Sequence, residues 1–166
     1  LIRIEGFETS VQYRASELTQ RLAKFGTVDV VGDPWAEVKD LRAWAALDTV
    51  WRISVRPTDS LKVIELMQGL QQDRGFHCQL DWGGGLLWLG LEAAQMADTR
   101  AGLALHQALQ RHVAQLRGHA TLVTSGLLRD QELCHFQPLE RAIERVSQSL
   151  REKFDPRGIL NPGRMR

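Results

Sequence analysis

Cysteine is scarce. Cys78 and Cys134 are the two in 166 residues, and their spacing forms neither a disulfide framework nor a metal-binding pattern. A disulfide-stapled domain is excluded, and a reducing compartment becomes the expectation. Charge of one sign is also lacking: 21 Lys and Arg stand against 20 Asp and Glu, a net charge of +1. Nothing in that balance argues for nucleic acid or an anionic membrane surface as a partner. No apolar run approaches the roughly 18 residues of a membrane-spanning helix, and the N-terminus has no secretory pattern. Linkers, low-complexity segments and alignable internal repeats are missing too. What remains is 43% hydrophobic and 25% charged, the composition of one soluble globular domain long enough to bury a core. The first residue is Leu1 and a strand pattern begins at once, which suggests a fragment of a longer protein.

Hydrophobic period organises the chain. Residues 1–5 alternate as a short strand. Val11, Ala15, Leu18, Leu22 and Phe25 then recur on one helical face, and Gly26 closes that helix. Thr27 to Val31 reads as a second strand. Asp33 and Pro34 open a helix to about Leu47, with Trp35, Val38, Leu41 and Ala45 as its buried side.

A complete unit of strand, helix, strand, strand, helix, strand follows. Its first strand runs from Val50 to Arg56, where Trp51, Ile53 and Val55 alternate with Arg52, Ser54 and Arg56. The next helix spans Thr58 to Asp73 with Leu61, Ile64, Met67 and Leu70 inward. Phe76 to Trp82 alternates again, with His77, Gln79 and Asp81 opposite Phe76, Cys78, Leu80 and Trp82. Gly83, Gly84 and Gly85 make a hairpin into an apolar strand, Leu86 to Leu91. A helix from Arg100 to Arg117 buries Leu105, Leu109, Val113 and Leu116, and His119 to Thr124 closes the unit. This order predicts an α+β fold, a ferredoxin-like split βαβ with an antiparallel sheet and helices on one face. Adding the two N-terminal strands extends the sheet to six or seven. Ser125 to Gln137 is a polar loop, and Pro138 opens a last helix with Leu139, Ile143, Val146, Leu150 and Phe154 at helical spacing.

The end of the chain is its most specific stretch: Phe154, Asp155, Pro156, Arg157, Gly158, Ile159, Leu160, Asn161, Pro162, Gly163, Arg164, Met165. Asp155 precedes a proline and so stops the helix at about Phe154. Gly158 takes a positive φ, and Asn161, Pro162 and Gly163 have the chemistry of a type II turn. Either this is a terminal turn in solvent, or a hook that presents backbone amides and Arg164 to a partner.

That hook resembles the C-terminal signature of the FAD-linked oxidases, the flavoprotein superfamily of vanillyl-alcohol oxidase and p-cresol methylhydroxylase. Asp81 to Trp88 and Gly118 to Leu122 resemble the corresponding parts of the FAD-binding subunits of bacterial glycolate oxidases. The resemblance covers the whole of this chain but the C-terminal half of that family, without the Gly-rich pyrophosphate-binding half. It implies that residues 1–166 are the substrate or cap domain of an oxidoreductase subunit. The implied reaction oxidises glycolate or a similar 2-hydroxy acid to the 2-oxo acid on FAD. It also implies partners: an N-terminal FAD domain, a second flavin subunit and an iron–sulfur subunit. A cytoplasmic location follows, with any association with the inner membrane made through those subunits. The fragment alone is expected to bind no FAD, to be inactive and to self-associate.

Candidate residues sit on the polar face of the sheet and in the hook. Arg52 and Arg56 suit a substrate carboxylate through bidentate pairing. His119 and His77 are the candidate catalytic groups, and the resemblance assigns Asn161, Gly163 and Arg164 to the cofactor. No metal site is expected: His106 and His112, six apart on one helix, point in different directions and serve packing or solvation. The triple glycine sits in a hairpin rather than before a helix, so it is a turn and not a phosphate loop. The alternative function is a free-standing ferredoxin-like interaction or small-ligand module with no flavin. An RNA-recognition module lacks its motif, since Leu86 to Leu89 stands where that would lie.

Overall fold

The computed structural model describes residues 1–128 and 133–160. Two units result, Leu1–Ala43 and the chain from Trp44 onward. In the first, α1 (Glu8–Leu22) carries Val11, Ala15, Leu18 and Leu22 on one half-buried face, as their spacing predicts. Phe25 is exposed. Residues 1–5 and 27–31 are not strands: neither makes a hydrogen-bonded ladder among the described residues, and an alternating sequence without a partner strand is only extended chain. The sheet therefore has four strands rather than six or seven. The helix expected to reach Leu47 is the short α2 (Trp35–Lys39). The N-cap position falls on Pro34 rather than Asp33, whose carboxylate accepts the Trp35 N–H at 3.2 Å, and Leu41, at φ 50°, takes a left-handed conformation just past the helix end.

The second unit holds β1 (Thr49–Ser54), α3 (Ser60–Gln71), β2 (His77–Asp81), β3 (Leu86–Leu91), α4 (Thr99–Gln115), β4 (His119–Thr124) and α5 (Arg141–Phe154). The sheet order is β2-β3-β1-β4 with every pairing antiparallel, the order of a split βαβ unit. One face is the core. Trp51 and Ile53 of β1, Leu87, Leu89 and Leu91 of β3, and Ala120 and Leu122 of β4 pack against Val63 and Met67 of α3 and Leu105, Leu109 and Val113 of α4. Both helices therefore cover the same side. The phase of α3 is only partly as expected: Met67 is buried and Ile64 packs against the core, but Val63 is buried in addition, whereas Leu61 and Leu70 are 64% and 43% exposed. Helical spacing permits both stripes, and α4 contacts one of them.

Segment 133–137, expected as a featureless polar loop, runs along β4. Leu122 donates its N–H to the His135 carbonyl at 2.7 Å, and the Gln137 side chain accepts from Ala120 N–H at 3.1 Å. From α4, Gln110 Nε2 donates to the Cys134 and Phe136 carbonyls, each at 3.0 Å. The edge of β4 is thus occupied by side chains and loop.

The end of α5 follows the expected pattern. The helix stops at Phe154, Gly158 has φ 63°, and the Asp155 carboxylate accepts the N–H groups of Ile159 and Leu160 at 3.0 and 2.8 Å. Leu139, Ile143, Val146, Leu150 and Phe154 are 47–81% exposed, so this helix carries an apolar stripe that no described residue buries. Asn161, Gly163 and Arg164 lie outside the described residues.

Candidate functional site

Strand alternation sends the polar residues of all four strands to the side opposite α3 and α4. Register then arranges them in rows across the sheet. Gln79, Trp88, Arg52 and Thr121 are successive cross-strand partners on β2, β3, β1 and β4, and all four are half-buried. Asp81, Leu86, Ser54 and His119 form the next row, and His77 and Gly90 begin the one on the other side.

The row that contains Gly90 is closed by the protein's own side chains. A Cβ at Gly90 would collide with Leu47 Cδ1 and with the ring of Trp44, which also meets the His77 ring edge-on at a centroid separation of 6.4 Å. Glycine is needed there because two large side chains rest on the strand.

Arg52 stands in the row of Gln79, Trp88 and Thr121. No carboxylate among the described residues pairs with it; its guanidinium carbon lies 5.5 Å from the centroid of the Trp82 ring. Trp82 itself had been expected on the core face of β2. Instead the chain turns at Asp81, whose carboxylate accepts the Trp82 N–H at 2.7 Å, and Trp82 takes φ 51° at the hairpin tip, 66% exposed. Arg56 lies past the end of β1, and its Nε donates to Asp59 at 2.7 Å. Asp59 also accepts from Lys62 at 2.8 Å, and the Lys62 ammonium, followed by the Arg56 guanidinium, holds its carboxyl below the ordinary 3.8 against the opposing effect of burial. Arg56 is committed to this local pair, whereas Arg52 has no hydrogen-bonded or ion-paired partner among the described residues.

The two candidate histidines do not converge. His77 and His119 occupy the outer strands, three strand spacings or about 14 Å apart across the sheet. His77 Nε2 approaches Glu92 Oε1 at 3.4 Å. His119, exposed opposite Ser54, is a diagonal neighbour of Arg52 two residues from its partner Thr121, a separation of about 7–8 Å. His106 has the packing role expected of it. No group of three or more His, Cys, Asp or Glu that could hold a metal ion occurs among the described residues. No helix among them is long and apolar enough to cross a membrane.

Two contributors escaped the sequence reading. Trp88 was hidden in a strand that is apolar on both faces, and its polar-face position could have been found by counting across the hairpin from Gln79, its partner on β2. Trp82 carried no such signal, because its place depends on a left-handed backbone at the start of the turn.

No protein-family model matches the sequence, and no solved structure matches it. The chain is similar to the glycolate oxidase subunit GlcE of Escherichia coli (strain K12), 32% identical over 166 residues. The match takes in 99% of this chain and 38% of the length of that subunit. The relationship is therefore to a glycolate oxidase subunit, and this chain corresponds to little more than a third of one.

Proposed function

We propose that this chain is the substrate-side, C-terminal domain of a flavoprotein oxidoreductase subunit that oxidises glycolate or a similar 2-hydroxy acid. Supporting this reading are its end-to-end similarity to a glycolate oxidase subunit and the hook and sheet motifs of the FAD-linked oxidases. The observation that carries the site is Arg52: a cation at the centre of a half-buried sheet row, without a carboxylate partner among the described residues. Such a group is costly to leave in a covered face unless an anion completes it.

The residues of the row suit a flat polar cofactor lying over them. Trp88 offers an aromatic face, and Gln79 and Thr121 offer hydrogen-bonding groups. Bound there, FAD would supply the two-electron chemistry, accepting hydride from C2 of the substrate. Arg52 holds the substrate carboxylate through paired N–H donors and so fixes which face of C2 is presented. His119, within diagonal reach, accepts the hydroxyl proton at a ring nitrogen. Asn161, Gly163 and Arg164 hold the cofactor from the hook. The polypeptide partner is the FAD domain of the same subunit, and the apolar stripe of α5 is the surface it covers, since the greater part of the relative's length lies outside the match. A second flavin subunit and an iron–sulfur subunit complete the assembly.

The test uses the complete subunit in its assembled oxidase. Flavin content and the bleaching of flavin absorbance by glycolate are measured for the natural protein and for Arg52→Ala and Arg52→Lys. Loss of a bidentate charged contact costs about 1.5–3 kcal/mol, so KM for glycolate rises roughly tenfold or more in both variants while flavin is retained. Glycolate-dependent bleaching that is indifferent to Arg52 sinks the assignment.

A further inference from the structure

Trp82 is in a conformation that a bulky residue rarely adopts. Its φ is 51°, although the next three residues are glycines that would take a left-handed position without strain. Burial does not offset that strain, because the residue is 66% exposed. Two hydrogen bonds hold it: the Trp82 N–H donates to the Asp81 carboxylate at 2.7 Å, and the Gly85 N–H donates to the Trp82 carbonyl at 3.2 Å. What the conformation achieves is the placement of the indole 5.5 Å from the Arg52 guanidinium. A strained backbone that positions one contact and buries little points to a role in a site.

We propose that Trp82 is the positioning residue of the Arg52 anchor, and that Trp82 and Trp88 together restrict that anchor to small monocarboxylates. The inference rests on the reading of Arg52 as a carboxylate anchor. An indole attracts the cation and shields the hydrophobic face of the guanidinium. The planar fork of N–H donors projects from the edge of that plane and remains free. A side chain with several rotatable bonds is thereby held ready for a carboxylate before one arrives. Trp88, directly across the strand pair from Arg52, walls the neighbouring position. A carboxylate with a one- or two-carbon substituent fits beside these rings, and an aryl-substituted one meets them.

The experiment compares the assembled oxidase carrying Trp82→Gly, Trp82→Phe and Arg52→Ala, with glycolate and mandelate as substrates and thermal unfolding recorded alongside. Glycine relieves the left-handed strain, so Trp82→Gly keeps or raises Tm. Its KM for glycolate rises between about 2-fold and 30-fold with kcat changed less, the range of a lost cation–π contact. Its discrimination against mandelate falls. Trp82→Phe, which keeps an aromatic face, recovers most of the glycolate KM. A natural KM in Trp82→Gly, or no recovery in Trp82→Phe, overturns the role of the indole while a raised KM in Arg52→Ala leaves the anchor standing. A natural KM in Arg52→Ala removes the anchor and this inference with it.

Discussion

Trp51 and His106 are joined inside the core: the indole Nε1–H donates to His106 Nδ1 at 3.0 Å, across a sequence separation of 55 residues. An indole can only donate, so Nδ1 must accept and the ring proton sits on Nε2, from which it is given to the Cys134 carbonyl at 3.2 Å. The neutral ring thus ties β1, α4 and the segment beside β4 together. Burial is the main cause that pushes His106 below its ordinary 6.5, reinforced by His135 and opposed by the Cys134 carbonyl.

Acid should therefore loosen the fold through this residue. A histidine whose folded value is lowered contributes stability that is full above the unfolded value of about 6.5 and is lost as pH falls below it toward the folded value, because the unfolded chain binds the proton first. Urea midpoints should drop between about pH 7.5 and about pH 5, roughly one unit above and more than one below the free histidine value. His106→Ala should remove that slope and cost about 1–3 kcal/mol at neutral pH, since the Trp51 N–H is left unsatisfied at a site only 2% exposed.

Asp59 should show its effect at lower pH. Only 3% exposed and held by Lys62 and Arg56, its carboxyl is lowered from the ordinary 3.8, so its contribution is present above that value and is lost as pH falls through the lower, folded one. Asp59→Asn should lower the thermal midpoint at neutral pH. In strong acid, where the natural carboxyl is also protonated, the difference between the two proteins should shrink toward zero, and differential scanning calorimetry at the two extremes will show whether it does.

Gly118 allows the chain between α4 and β4 to pass close beneath β1. A Cβ there would sit 2.5 Å from the Ser54 carbonyl oxygen and 2.6 Å from Val55 Cγ1. A backbone oxygen cannot rotate away, so Gly118→Ala should cost about 1–3 kcal/mol by overpacking. Chemical denaturation of the variant measures that cost directly. A neutral result would mean that the β1–β4 edge is free to shift.

Val146 and Leu150, 61% and 51% exposed on α5, bury little in this chain. Val146→Asp with Leu150→Glu should leave its circular dichroism and thermal midpoint nearly unchanged. In the complete subunit the same pair should weaken the hold on the FAD domain by about 1.5–3 kcal/mol for each apolar side chain no longer buried, seen as a lower melting point and easier flavin loss. Equal stability of both complete proteins would show that the stripe has another occupant.

Local chemistry accounts for most of what the sequence determined. Period-two alternation assigned Arg52 and Gln79 to one face, with His119 and Thr121 or their alternates, the triple glycine marked the hairpin, and Asp155 before Pro156 ended α5 at Phe154. These are properties of a few adjacent residues, and steric restriction and side-chain direction act at that range. Tertiary structure decided the rest. Residues 1–5 and 27–31 alternate as well as any strand, yet a ladder needs a neighbour that alternation cannot supply. Which stripe of α3 faced inward depended on the position of α4, which left Leu61 out and took Val63 in. The commitment of Arg56 to Asp59, the closure of one sheet row by Trp44 and Leu47 over Gly90, and the return of Trp82 to Arg52 all came from three-dimensional neighbours. Arg52 and Arg56 are alike in sequence, and only the folded chain pairs Arg56 with Asp59 and leaves Arg52 without a carboxylate among the described residues.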